Sequence, residues 1–524
     1  MRVKKIERKT IVTSKHKIGK VRDTLFIHAS ARTTATMSPS SSSLLLARAK
    51  LFSLPKSFRR SCSSSSPSTS PRCQRRRSRE SECVAAAAGR HASSTRCRSS
   101  SSTTTDEELL PTNEPKKHPL ANSSSFKKGR GLDIECRPDA YEEELREKIS
   151  RAKAYFGTSV LPTTREDEIY KSKQTRGGFR MRAVFGIHLD GPVDARYSMV
   201  EVLGTSVLPS GKIYKEKKTV FVDSFPMGSD AMRTAMPSVR SLVEKDDANL
   251  RRRLFQVEFL TATSGDVVVT MCYHRKLDEE WVKAAEGMRE EMNRRHPELN
   301  VSIIGRANRM KKVIGDAFVT ENVHLDDGKV LKYKQLEGQF AQPNAQIATE
   351  MLKFARSCCT SASNANDDFL ELYCGNGHFT VALAPLFRTC LATEISKTNI
   401  AAARENIEMN GITNTHVVRL SAEEVVQAID GERKFTRLKD TELDLTALNI
   451  KTVLVDPPRA GCGPEVSKML QRFENIVYIS CNAETLAEDM RILSETHDMK
   501  RFAVFDQFPY TPHLECGAYL VKKK

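Results

Sequence analysis

Residues 368–379 read Asp368-Phe-Leu-Glu-Leu-Tyr-Cys374-Gly375-Asn376-Gly377-His378-Phe379. The apolar run through Tyr373 predicts a strand, the glycines a loop, and the pattern up to Leu386 a helix. A glycine loop between strand and helix lets a ligand come close to the backbone at a helix N-terminus. Working outward, Thr389 to Thr393 predicts a second strand ending in Glu394, 19 residues after Gly375. An acid at that place can accept hydrogen bonds from ribose hydroxyls. The helix from Asn399 to Met409 stops at Asn410-Gly411, a C-terminal signal. Such alternation predicts an α/β, doubly wound sheet. The loop lacks a full G-x-G-x-x-G, because Phe379 and Thr380 precede Val381. That disfavours NAD and favours S-adenosylmethionine, which has no pyrophosphate to cradle. A generic doubly wound turn without a ligand is the bland alternative.

Further along, the strand Thr452 to Val455 runs into Asp456-Pro457-Pro458-Arg459, where the prolines stiffen the loop at the edge of the sheet. Asn475 to Ser480 forms another strand and delivers Cys481-Asn482. A last strand pair carries Phe505-Asp506-Gln507-Phe508-Pro509 and His513-Leu514-Glu515-Cys516-Gly517. Apolar surroundings would raise the pKa of Glu515 and make it a usable proton acceptor. Cys374, Cys462 and Cys516 read by themselves as small buried hydrophobes.

From about residue 136 onward, these motifs resemble the RNA uridine-5-methyltransferase family, in particular its bacterial-type tRNA (uracil-5-)-methyltransferase branch. The resemblance rests on Phe340-Ala-Gln342-Pro-Asn344, Glu371 to Gly377, Asp456 to Arg459, Ser480-Cys-Asn482 and Leu514 to Gly517, in that order. Val222-Asp-Ser-Phe-Pro226 and Tyr273-His-Arg-Lys-Leu-Asp278 favour the tRNA branch. It implies a Rossmann-like S-adenosylmethionine-dependent methyltransferase domain over residues 336–524 and an α+β RNA-recognition domain over 136–335. It also implies a cofactor site of Gln342, Tyr373, His378, Glu394 and Asp456, with Cys481 as nucleophile and Glu515 as base. The implied reaction is methylation of carbon 5 of a uridine in the tRNA T-loop, position 54. Ribosomal RNA as substrate, and a tRNA-folding role with little catalysis, are the two alternatives. A free thiol of pKa ~8.5 is only a few per cent ionised at neutral pH, so the site is expected to lower that of Cys481. Two residues depart from the family pattern: Ala483 replaces a proline after the nucleophile, with a looser loop expected, and His378 replaces an asparagine. For RNA, Phe255 and His274 are candidates for stacking, and Arg180, Arg182, Arg275 and Lys276 for phosphates.

Upstream of the decisive stretch, Tyr141 to Phe156 reads as a helix. Arg182–His188, Lys218–Val222, Leu254–Leu260, Val267–Tyr273 and Val301–Ile304 read as strands, and Leu277 to Arg294 as a helix. The formal charge of the 524-residue chain is +18, yet residues 1–105 hold 23 Lys and Arg against four acids. The remaining 419 residues hold 60 basic and 61 acidic groups, so the excess belongs to the first fifth of the chain. That segment has 24 serines and little apolar surface to offset ~1–2 kcal/mol of backbone entropy per residue, and it is expected to be a disordered leader. Acid-poor, Ser- and Arg-rich composition points to an organelle transit peptide, for a plastid or mitochondrion. A nuclear or cytoplasmic RNA-binding tail is the alternative, and Met37 is a second possible start. Residues 106–135 read as linker. No run approaches ~18 apolar residues, so no membrane span is expected. The nine cysteines outside the leader form no C-x-x-C pair, so neither a metal nor an iron–sulfur cluster is expected.

Overall fold

The computed structural model describes residues 135–524 and the backbone of Lys127–Lys128. Within that span 158–167, 192–193, 209–211, 247, 363, 365, 434, 436 and 439–442 are not described. The leader of residues 1–105, and the linker apart from Lys127–Lys128 and Glu135, lie outside the described residues. Strand β1 (Lys127–Lys128), helix α1 (Tyr141–Ala154) and strand β2 (Ile169–Tyr170) come first. Next come β3 (Arg182–Gly191), β4 (Asp194–Val207), β5 (Ile213–Val222), α2 (Asp230–Lys245), β6 (Leu254–Thr261), β7 (Asp266–Tyr273), α3 (Glu279–Arg295), β8 (Asn300–Ala307) and β9 (Met310–Ile314). Their strands form one sheet in the order β1-β4-β3-β6-β7-β8-β9, with β5 on β4. It is antiparallel except where α3 carries the chain over to lay β8 parallel to β7. Ser229 caps α2 by accepting from Met232 N at 3.1 Å, and Asp278 caps α3 by accepting from Trp281 N at 3.0 Å. Trp281 is fully buried under β8 because Gly305 leaves room; a Cβ there would lie 2.4 Å from the indole ring.

Among the elements of this region that the sequence does not predict, the two longest are β4 and α2. Strand β4 is 14 residues long where no strand was read, because Gly204 and Glu201 interrupt its apolar alternation. Helix α2 contains Pro237, a residue that ordinarily ends a helix, yet its apolar face seats Met232, Met236, Val239 and Val243 in the core.

A hairpin of β10 (Phe318–His324) and β11 (Val330–Leu336) leads into the second half. There α4 (Ala345–Ala362), β12 (Asp368–Leu372), α5 (His378–Leu383), β13 (Thr389–Thr393), α6 (Lys397–Met409), β14 (Thr415–Val418) and α7 (Ala422–Ile429) follow in turn. They are continued by β15 (Ile450–Val455), α8 (Gly463–Leu470), β16 (Asn475–Ser480), α9 (Ala483–Leu493), β17 (His497–Phe505) and β18 (Glu515–Lys522). The sheet order is β14-β13-β12-β15-β16-β18-β17-β2. The first five are parallel and mostly buried, with apolar residues in the majority, and β18 enters antiparallel between β16 and β17. This is the expected doubly wound α/β sheet, with its order reversing between β12 and β15. The far edge is closed by Ile169–Tyr170, contributed from well upstream. No described helix is long and apolar enough to cross a membrane.

Candidate active site

In open α/β sheets ligands bind beyond the carboxyl ends of the strands, where the order reverses. Strand register decides which residues meet there. Leu372 lies opposite both Thr393 and Val455, and Val455 lies opposite Tyr478. The residues just past those strand ends are therefore Tyr373, Glu394, Asp456 and, after Ser480, Cys481. Ser480 pairs with Cys516 in the antiparallel β16–β18 ladder, so one further step sets Cys481 across from Glu515. Tyr373, Glu394, Asp456, Cys481 and Glu515 are thus drawn to one edge of one sheet.

A cavity of about 440 Å³ opens at that edge, and Gln342, Tyr373, His378, Glu394 and Asp456 all line it. Tyr373 has φ 62°, a left-handed conformation that bulky side chains seldom take outside functional turns. Glu394 Oε1 accepts from the N–H groups of Ile395 and Ser396, both at 2.7 Å. Its Oε2 has only longer contacts, 3.1 Å from Gly375 N and 3.4 Å from Asn399 Nδ2, and is the oxygen left to take a ribose hydroxyl. Nε2 of His378 is buried without a hydrogen-bond partner, and burial pushes the ring down to about 4, so it is neutral at physiological pH. An orphaned polar nitrogen, an acid at the second strand end and apolar walls suit S-adenosylmethionine, which combines a polar amino-acid end with a flat base.

Beside the cavity, burial followed by the charge of Asp456 pushes Glu515 up to about 8, in line with the sequence expectation. Burial also raises Asp456, to about 7. For Cys481 the expectation of a lowered pKa is corrected. Burial first, then the neighbouring Glu515 and Asp456, push the thiol up to about 12, and only Arg459 opposes them. In the RNA-free chain this cysteine is a resting thiol. At pH 7.5 such a thiol has a far smaller ionised fraction than a free one, and the greater nucleophilicity of a basic thiolate recovers only part of the loss. Iodoacetamide is therefore expected to label Cys481 roughly 100-fold more slowly than a free thiol, with the rate still climbing at pH 10. Peptide mapping of the alkylated protein checks this; a rate that levels off below pH 9 contradicts it.

The loop after Cys481, where Ala483 stands, is tied by hydrogen bonds. Asn482 N-caps α9 and donates to Arg459 O at 3.2 Å, while its own N–H donates to Ser480 Oγ at 3.1 Å. Hydrogen bonds thus do what a fixed proline φ would have done.

Residues 140–523 match the family described as tRNA (Uracil-5-)-methyltransferase. The chain belongs to that family. The methyltransferase is 41% identical over 391 residues to a Vibrio cholerae protein described as tRNA/tmRNA (uracil-C(5))-methyltransferase, covering 75% of this chain and 99% of the relative. An Acinetobacter baumannii protein of the same description is 43% identical over 384 residues, covering 73% and 99%. Its fold matches the crystal structure of Pyrococcus abyssi tRNA (uracil-54, C5)-methyltransferase in complex with S-adenosyl-L-homocysteine. That match has TM-score 0.52 and 22% identity, over 75% of this chain and 87% of that one.

Its candidate RNA contacts are arranged differently from the simple expectation. Phe255 and His274 stack on each other, centroids 3.9 Å apart and planes 11° apart, forming one two-ring platform. Arg182 is not displayed as a cation for phosphate: it pairs with Glu258 at 2.6 Å and donates to Gln339 O at 2.8 Å, bracing the first sheet on the segment that leads into the second. Arg275 likewise donates to the carbonyls of Arg252, Lys276 and Asn249, while Lys276 is exposed. Arg180 lies over the ring of Phe508 at 5.5 Å.

Sequence reasoning missed several cavity residues of the methyltransferase. Tyr333 and Gln335 come from the β10–β11 hairpin, which has no motif. Ser421 to Glu423 belong to a capping box that was legible as Ser-x-x-Glu: Ser421 Oγ accepts from Glu424 N at 3.2 Å and Ser421 N donates back at 3.1 Å. Among the described residues no group of three or more His, Cys, Asp or Glu is placed to hold a metal ion.

Proposed function

We propose that this methyltransferase acts on the uridine at position 54 of the tRNA T-loop, through a covalent adduct with Cys481. The observation that carries the reading is the register that sets Cys481 across from Glu515, at the same sheet edge as the cavity-lining Asp456. Gln342, Tyr373, His378, Glu394 and Asp456, which line the cavity, would hold S-adenosylmethionine, which would supply an electrophilic methyl group. Carbon 5 of uracil is too weak a nucleophile to take that group unaided. Cys481 gives up its proton to solvent, helped by Arg459, and its sulfur bonds to carbon 6 while an electron pair moves to the carbon 4 oxygen. The enolate carbon 5 then accepts the methyl group. Glu515 takes the carbon 5 proton, the 5,6 double bond re-forms, and the carbon–sulfur bond breaks with its electrons returning to sulfur. Reaching a base in the folded tRNA elbow means flipping it out, at a few kcal/mol, and the Phe255–His274 platform supplies stacking surface to offset this.

The test is methyl transfer from labelled cofactor to a full tRNA transcript, the same transcript with cytidine at position 54, and a ribosomal RNA fragment. Label mapped to uridine 54 and absent from the cytidine transcript is the expected result. Label on the ribosomal fragment alone overturns the reading.

We also propose that residues 1–105 direct the enzyme to a plastid or mitochondrion, on the strength of their Ser- and Arg-rich, acid-poor composition. A fluorescent reporter fused to residues 1–105 or 37–105 is expected in an organelle; diffuse signal from both removes the proposal.

A further inference from the structure

The connection between β17 and β18, residues Asp506 to Leu514, delivers Glu515 to the site, and it is held from outside the catalytic half. Lys148, on α1, donates to Asp506 Oδ1 at 2.7 Å and to the carbonyl of Phe508 at 2.8 Å, across more than 350 residues of sequence. The pair is sealed: the two side chains are 3% and 0% exposed. Between these two anchor points sits Gln507, fully buried, whose Nε2 donates to Gln342 Oε1 at 3.0 Å. Further along the same connection His513 lies 2.9 Å from Arg459, the residue beside Cys481. Helix α1 grips the connection a second time through Tyr141, whose ring meets that of Tyr510 edge-on at 6.0 Å.

We propose that Lys148 is a positioning residue for methyl transfer: its two bonds hold the 506–514 connection in the shape that seats Gln342 at the cofactor cavity and Glu515 beside Cys481. The inference rests on the roles given to Gln342 and Glu515 above. A buried ion pair can also act only as part of the fold, and the two roles separate cleanly. Removing one partner leaves an uncompensated buried charge, whereas neutralising both does not. If the pair served stability alone, Lys148→Met combined with Asp506→Asn would restore everything. Positioning also needs the bond to the Phe508 carbonyl, which neither replacement provides.

The experiment compares the full-length wild type with Lys148→Met and with Lys148→Met/Asp506→Asn. It reads melting temperature, S-adenosylhomocysteine affinity by calorimetry, tRNA affinity, and kcat and KM for methylation. The double variant is expected to melt within a few degrees of wild type and to bind tRNA within twofold. It is also expected to bind S-adenosylhomocysteine at least fivefold more weakly and to turn over at least 30-fold more slowly. A double variant within twofold of wild type in both S-adenosylhomocysteine affinity and kcat overturns the proposal. Hydrogen exchange on the wild type does not depend on any variant folding. S-adenosylhomocysteine is expected to raise amide protection in residues 506–514 and in α1 around Lys148 together, and protection that leaves both unchanged overturns the inference. A wild type that binds S-adenosylhomocysteine but methylates no tRNA counts against the function proposed above and is read separately from the Lys148 comparison.

Discussion

Replacing Cys481 by alanine is expected to lower methyl incorporation into tRNA at least about a hundredfold, equivalent to ~2.7 kcal/mol of lost transition-state stabilisation, with tRNA affinity unchanged. The side chain stands at the end of β16 and supplies only the sulfur, whereas the surfaces assigned to RNA lie on the recognition sheet. The other thiols near this edge are not placed to take over: Cys374 and Cys516 are buried, and Cys462 stands before α8, not at the strand end that lies across from Glu515. Incorporation and filter-binding affinity, measured on the same preparation, decide the matter. Activity above a hundredth of wild type would take the nucleophile's role from Cys481, and a parallel fall in tRNA affinity would mean that the substitution damaged the fold.

Glu515→Gln is expected to stop the reaction at a later point. Carbon 5 carries a hydrogen in the substrate and a methyl group in the product, so one proton must leave after transfer. Glutamine keeps the size and hydrogen bonding of Glu515 but cannot accept that proton. Attack by Cys481 and methyl transfer can still occur, after which the methylated adduct has no route to elimination. The variant is therefore expected to accumulate a protein–tRNA complex stable to denaturing gels, with little tritium released from uridine labelled at carbon 5. Adding Cys481→Ala removes the complex. Free methylated tRNA at close to the wild-type rate would assign the base to another group. Asp506, next to the Phe505 that pairs with Glu515, is no substitute, since it is buried and paired with Lys148. Asp456, held near 7 by burial at the same edge, becomes the next candidate.

The chemistry-bearing half of this protein was legible because its signals are local. A strand, a glycine loop and a helix each announce themselves within about ten residues, and a strand end delivers the next residue to the sheet edge whatever the rest of the chain does. Tyr373, Glu394, Asp456 and Cys481 all sit at such ends, so their convergence follows once the sheet is parallel. The composition of residues 1–105, and its carrying the whole net charge, is likewise a property of sequence alone. Tertiary structure decided what depends on partners distant along the chain. The pKa of Cys481 could not be read from its neighbours in sequence, because burial first, and then Glu515 and Asp456, act on it only through the fold and reverse the expected direction. Arg182 looked available to phosphate until the fold supplied Glu258 and the Gln339 carbonyl. Strand β4 and helix α2 were hidden because Gly204 and Pro237 oppose them locally, and packing overrides a local preference worth a few kcal/mol at most. Lys148 reads in sequence as one more surface charge of an acidic and basic helix. Only the folded chain buries it against Asp506, because desolvating an ammonium group requires a carboxylate and a carbonyl that no sequence neighbour provides.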